Sequence, residues 1–83
     1  MTHYLILFHS MTQAQRAARL LERKGINAYV VKAPMTLTNR GCTYAVSLSR
    51  RAAEAMELLR GSGLRMGKQF RAEDGERYEE VRL

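Results

Sequence analysis

The stretch Asn39-Arg40-Gly41-Cys42-Thr43-Tyr44 holds the one cysteine of the chain, where a polar loop gives way to an apolar alternation. Gly41 allows a backbone turn just before the thiol, and Arg40 sets a fixed positive charge beside it. A lone cysteine cannot close a disulfide within the chain, so it is either a packed apolar residue or a usable thiol. A thiolate stabilised by a nearby cation is a nucleophile for sulfur-level chemistry. It can attack the outer atom of a persulfide donor R-S-SH, or of the selenium counterpart R-S-SeH, displace R-S⁻ and hold the atom as Cys-S-SH or Cys-S-SeH until an acceptor takes it. His9 is the other group of interest, a side chain that titrates near neutral pH and can move a proton.

Other chemistries lack their residues. His3 and His9 lie six positions apart at opposite ends of one predicted strand, with no H-x-x-x-H or C-x-x-C spacing, so no metal site is expected. No G-x-G-x-x-G, phosphate-loop or G-x-S-x-G element occurs, which leaves nucleotide binding and hydrolysis without a motif and implies no cofactor. Glu54 and Glu57 read as solvent-side carboxylates of a helix. Arg50 and Arg51 fall in the predicted first turn of that helix, where a positive charge opposes the dipole. They are either solvated arginines or a contact for an anion or an acidic partner, at the end of the sheet remote from Cys42.

The elements that must position these residues follow in order. His3–Phe8 reads as a strand, with Tyr4, Ile6 and Phe8 on one face and Leu5 and Leu7 on the other, the pattern of a central strand covered on both sides. Ser10 with Gln13, or Thr12 with Gln15, has the capping-box spacing that opens a helix running to Arg23 or Lys24, with an inner face of Met11, Ala14, Ala17, Ala18 and Leu21. Gly25 closes it, and Ile26–Val31 is a second strand, parallel to the first. Residues 32–41 form a loop, and Thr43–Leu48 is the third strand. Ser49 is expected to cap a second helix with the stripe Ala52, Ala55, Met56 and Leu59, which Gly61 and Gly63 close. Leu64–Ala72 supplies a fourth strand. After the turn signal Asp74-Gly75, Glu76–Leu83 is either a fifth, edge strand or a charged terminus.

Eighty-three residues make one domain, 1–83, with residues 72–83 as an acidic tail or hairpin extension. Residues 1–72 hold 12 Lys and Arg against 3 Glu, a balance of +9, while residues 73–83 carry −3. A basic body suits nucleic acid, an anionic ligand or an acidic protein. No apolar run is long enough to span a bilayer, and the N-terminus lacks the features of a signal peptide. One cysteine without a signal fits a reducing cytoplasm, and no membrane association is expected.

The order strand–helix–strand–strand–helix–strand is the ferredoxin-like split βαββαβ arrangement, an α+β fold with antiparallel sheet order 4-1-3-2. In that sheet strands 1 and 3 are neighbours, so the start of strand 3 lies beside the end of strand 1. Cys42 is thereby expected near His9 and Ser10, where the N-terminus of the first helix favours thiolate over thiol.

The residues Tyr4-Leu5-Ile6-Leu7-Phe8-His9-Ser10, then Thr12-Gln13-Ala14, and the loop cysteine Cys42 before an apolar strand resemble the small "putative Se/S carrier protein-like" family. The resemblance runs from the first strand to the fourth. It implies a ferredoxin-like fold and a carrier role in sulfur or selenium metabolism, with Cys42 as the acceptor. Partners would be donor and acceptor proteins, such as a cysteine desulfurase or a sulfurtransferase, and the chain itself would not be an enzyme. The rival reading is a basic RNA-binding or regulatory module that dimerises through its sheet. Strand 3 lacks the basic-Gly-aromatic pattern of RNA-recognition modules, although Tyr4 and Phe8 on strand 1 could stack on bases. The two-sided apolarity of strand 1 is the ground for expecting a dimer, because two helices cover only one face of a sheet.

Overall fold

The structure is a computed structural model and describes residues 2–34, 37, 44–73 and 77–82. Seven elements follow in order: β1 (His3–Phe8), α1 (Met11–Arg23), β2 (Tyr29–Lys32), β3 (Tyr44–Leu48), α2 (Ala52–Arg60), β4 (Gln69–Ala72) and β5 (Glu79–Val81). The fold is α+β, with one five-stranded antiparallel sheet in the order β2-β3-β1-β4-β5. Of the two alternatives for the C-terminal stretch the fold shows the edge strand: β5 adds outside β4, over Glu79–Val81. There Phe70 pairs with Glu80 and Arg71 with Glu79.

β1 lies at the centre because both of its faces are apolar. Ile6 and Phe8 point to the helix layer, where they pack with Ala14, Ala17 and Leu21 of α1 and Ala55, Met56 and Leu59 of α2. Alanines along the inner face of α1 let its backbone come close to the sheet. α1 ends in a Schellman motif: Gly25 N–H donates to the Glu22 carbonyl at 3.0 Å and Ile26 N–H to that of Leu21 at 2.9 Å. Gly25 has φ +80°, a conformation that a residue with a Cβ adopts only with strain.

The reverse face of the sheet is also covered. Leu5 is 3% exposed and Leu7 1%, in a second cluster with Ala33, Ala45 and Phe70. Val31, Leu37 and Tyr78 pack against that cluster. The covers are thus the start of the β2–β3 loop and the segment leading into β5. Leu37 N–H donates to the Pro34 carbonyl at 2.9 Å, a turn within the loop. Tyr78 is also held by His3, whose Nε2 lies 3.3 Å from the Tyr78 hydroxyl with the rings edge to face. Among the described residues, the face whose bareness was the ground for expecting a dimer is covered at Leu5 and Leu7 by the chain's own side chains.

Two elements start later than their sequence patterns. Ile26 and Ala28 are buried in the helix-side core, but pairing begins only at Tyr29, opposite Ser47. In this register Ile26 and Asn27 would face positions beyond Leu48, where β3 ends, so the chain there has no strand partner. β4 begins at Gln69, while Leu64 and Met66 pack beneath the helices. The β1 ladder is still extended on that side, because Leu7 N–H donates to the Lys68 carbonyl and Gly67 N–H to the Leu7 carbonyl.

The two-sided burial gives a stability test. Leu5→Ala and Leu7→Ala should each destabilise the protein by about 2–5 kcal/mol, the cost of emptying a packed core position. Urea unfolding of the two variants checks this. Losses below about 0.5 kcal/mol, the range of surface substitutions, would mean that the reverse face is open in solution.

Candidate functional site

The corner where β1 passes into α1 is built by local chemistry. Phe8 ends the strand and is fully buried, so the chain that follows emerges at the edge of the core. His9 is exposed and Ser10 half-buried. Ser10 is the N-cap, with extended backbone at φ −134° and ψ 152°. Its Oγ accepts from the Gln13 N–H at 3.2 Å, and its carbonyl accepts from the Ala14 N–H at 3.1 Å. The expected capping box is half formed. The returning bond would require Gln13 Oε1 to accept from the Ser10 N–H, and that oxygen is buried without a hydrogen-bond partner among the described residues.

The electrostatics of this corner favour an anion. The first turn of α1 holds no acidic side chain, so its unpaired N–H groups and the positive end of the dipole are not neutralised locally. Met11 in the same turn is 45% exposed and leaves its surface open on one side. It was expected on the inner face, which instead starts with Ala14.

β3 returns to this corner. In the β1–β3 ladder Phe8 pairs with Tyr44, Ile6 with Val46 and Tyr4 with Leu48. The first residue of β3 is thus opposite the last residue of β1, one position before His9. Cys42, Gly41 and Arg40 lie outside the described residues. His9 and Ser10 are brought together with the start of β3 and the N-terminus of α1.

Arg50 and Arg51 sit at the far end of the sheet, beyond Leu48, where they line a cleft of about 330 Å3 with Gly25, Asn27 and Ser49. Here the local reading needs correction. Ser49 does not cap α2; Arg51 is the N-cap, in the left-handed conformation at φ +59° and with no side-chain cap bond. Neither arginine stands inside the helix. The Arg51 guanidinium forms a two-point ion pair with Glu54 in the first turn, its Nε–H donating to Oε1 at 2.9 Å. Nη1 donates to the Gly25 carbonyl at 3.2 Å, which joins the start of α2 to the end of α1. An anion arriving at Arg51 would have to displace Glu54. Arg50 is exposed.

Phe8 is not available for stacking on bases. Phe8 is buried under the helices, Tyr4 packs against the same cluster, and the reverse face presents leucines under cover. Bases could not reach the Phe8 ring without opening the core. Among the described residues no three His, Cys, Asp or Glu side chains converge as metal ligands. No helix among them is long and apolar enough to cross a membrane.

Comparison with known proteins adds one finding. The model of the family described as "Putative Se/S carrier protein-like" matches residues 3–80, nearly the whole chain. The same comparison made against curated proteins and against solved structures gives no match.

The Arg51–Glu54 pair makes a pH prediction. Hydrogen bonds from Arg51, and secondarily its charge, hold the Glu54 carboxyl below the usual glutamate range. A depressed carboxylate stabilises the fold above the unfolded glutamate pKa, and that contribution is lost as pH falls through the folded value. Carbon-detected NMR titration should place Glu54 below an ordinary glutamate, and Arg51→Gln should return it to the ordinary range. A normal titration of Glu54 in the unaltered chain would show that the pair does not form in solution.

Proposed function

We propose that this chain, which belongs to the Se/S carrier-like family, holds a sulfur or selenium atom on Cys42 and passes it between partner proteins. The observation that carries the reading is the pairing of Phe8 with Tyr44. Two peptide links separate Cys42 from Tyr44, so the covalent chain allows their Cα atoms to be no more than about 7 Å apart. That short tether starts beside the end of β1, where His9, Ser10 and the acid-free first turn of α1 gather. The positive end of the helix and the neighbouring Arg40 favour the thiolate, and His9 is the group suited to exchange protons with it.

The transfer step needs no oxidant. The Cys42 thiolate attacks the outer sulfur of a donor persulfide, R-S-SH. A new S–S bond forms as the donor S–S bond breaks, R-S⁻ leaves, and Cys42-S-SH results. An acceptor nucleophile reverses the exchange. Selenium follows the same course with Cys42-S-SeH as the loaded form. The chain is a carrier and not an enzyme on this reading; a cysteine desulfurase or sulfurtransferase would supply or remove the cargo.

The architecture supports assigning the fold to the ferredoxin-like class. The winding β1-α1-β2-β3-α2-β4 and the internal order 4-1-3-2 are those of the split βαββαβ arrangement, with β5 as an addition. The second layer bears on the carrier role as well. The loop that ends at Cys42 is anchored near its start by Ala33 and Leu37 on the reverse face of the sheet. Such an anchor fixes the start of the β2–β3 connection against the sheet.

Mass spectrometry of the intact protein after incubation with glutathione persulfide tests the proposal. The unaltered chain should gain the mass of one sulfur atom, removable by a thiol reductant. Cys42→Ser should gain none while unfolding at the same urea concentration. The thiol should also alkylate with a pKa below the reference of about 8.5. A thiol of ordinary pKa that takes up no sulfur would end the carrier reading.

A further inference from the structure

The outer face of α1 carries a feature that the thiol chemistry does not use. Arg16, Arg19, Leu20 and Arg23 fall within about 100° of the helix circumference, and Arg16 and Arg23 are about 10.5 Å apart along its axis. With Ser62 and Leu64, from the turn after α2, they line a groove of about 370 Å3. We propose that this groove docks an acidic segment of a partner protein, its carboxylates on the three guanidinium groups and an aliphatic side chain against Leu20 and Leu64.

The first argument is the state of the charges. All three arginines are exposed, and none forms an ion pair with a described acid. Glu22, the acid of the same helix, pairs with none of them. Elsewhere the chain matches bases with its own acids: Arg51 with Glu54, Lys68 with Glu80 and Arg71 with Glu79. Like charges at i, i+3 and i, i+4 repel one another and weaken a helix. α1 therefore keeps a cationic row that no contact within the described chain offsets.

The second argument is the lining. Leu20 and Leu64 are half-buried and aliphatic, and no aromatic side chain lines the groove. Single-stranded nucleic acid is held by stacking its bases on aromatic rings along a basic track, which this surface lacks. A protein segment needs what is present. Guanidinium groups bind carboxylates through two parallel hydrogen bonds, and an aliphatic floor takes a leucine or isoleucine of the same segment. The volume is near the lower end of ligand pockets, which run from about 300 to 1,000 Å3, so it suits a few side chains of one segment. Ser62 is occupied within the turn: its Oγ donates to the Leu59 carbonyl and accepts from the Leu64 N–H. The floor is therefore held in shape before any partner arrives. None of this depends on what Cys42 carries.

The test is an NMR titration of the isotope-labelled full chain with a short synthetic helical peptide bearing Glu at i, i+3 and i+7 and Leu at i+4. Amide and arginine side-chain shifts should be confined to residues 16–23 and 62–64. The same peptide with Gln in place of Glu should not bind. Arg16→Gln with Arg19→Gln should weaken binding about tenfold or more, as two charge-assisted contacts are lost. Replacing all three arginines by lysine keeps the charge and the fold but removes the two-point geometry, and should also weaken it. Absence of shifts at these residues, equal binding of the glutamine peptide, or tighter binding of an oligothymidylate to the same face would each overturn the proposal.

Discussion

Because β1 runs through the middle of the sheet with apolar side chains on both faces, the chain has to build two covers for one strand. Ile6 and Phe8 require the helices, while Leu5 and Leu7 require something on the reverse. A fully buried large aliphatic side chain is worth roughly 1.5–3 kcal/mol relative to exposure. Leaving two of them in water would cost a domain of this size a large part of its stability. Both helices of the described residues, α1 and α2, lie on the first face, so neither covers the second. The protein uses pieces of irregular chain instead: Ala33 and Leu37 after β2, and Tyr78 before β5.

That second cover links packing to function. The β2–β3 connection is longer than a hairpin needs, and its start is tied to the reverse of the sheet through Leu37. Its end is tied by the pairing of Tyr44 with Phe8. The connection is thus held against the sheet near its start and at its end, and that end lies at the corner where α1 begins. The same economy explains β5. It pairs with the open edge of β4 and brings Tyr78 over the cluster, so the acidic tail of the sequence is a structural strap in its pairing part.

What was legible in the sequence was whatever local pattern decides. The apolar residues at both parities of β1, the Ser10 cap, the alanine face of α1 and the Gly25 stop are all set within a few residues. Their structures follow the expectations. The second cover was not legible, because Leu37 sits in a polar run and Tyr78 in an acidic one; only contacts across the chain give them their role. α2 shows the same limit. Ser49 has the composition of a cap, yet the helix starts after Arg51, whose left-handed backbone is held by Glu54 and by Gly25, 26 residues away. Nothing local announces such a bridge. The strand limits were misread for a related reason. Ile26 and Leu64 alternate as a strand would, but a strand needs a partner, and β3 and β1 supply none that far along. At the candidate site, the meeting of the β1 end with the β3 start came from topology alone. The half-formed capping box did not, since it depends on where the Gln13 side chain is buried.

Net charge read from the sequence likewise needed the structure to become a surface. A body at +9 and a tail at −3 suggest two opposed regions. In the fold they are not opposed: Glu79 and Glu80 of β5 face Arg71 and Lys68 of the neighbouring strand and lane. Pairs this exposed contribute little to stability, but they do remove those bases from the set available to a partner. Arg16, Arg19 and Arg23 form no ion pair with a described acid and stand in one row of α1. Field and shape then coincide there, because that row borders the groove beside the turn that closes α2. A small domain has little surface to divide between tasks. Here the cationic row runs along the helix that starts where the end of β1 meets the start of β3, so a partner drawn to the cations is brought toward that corner without any added recognition element.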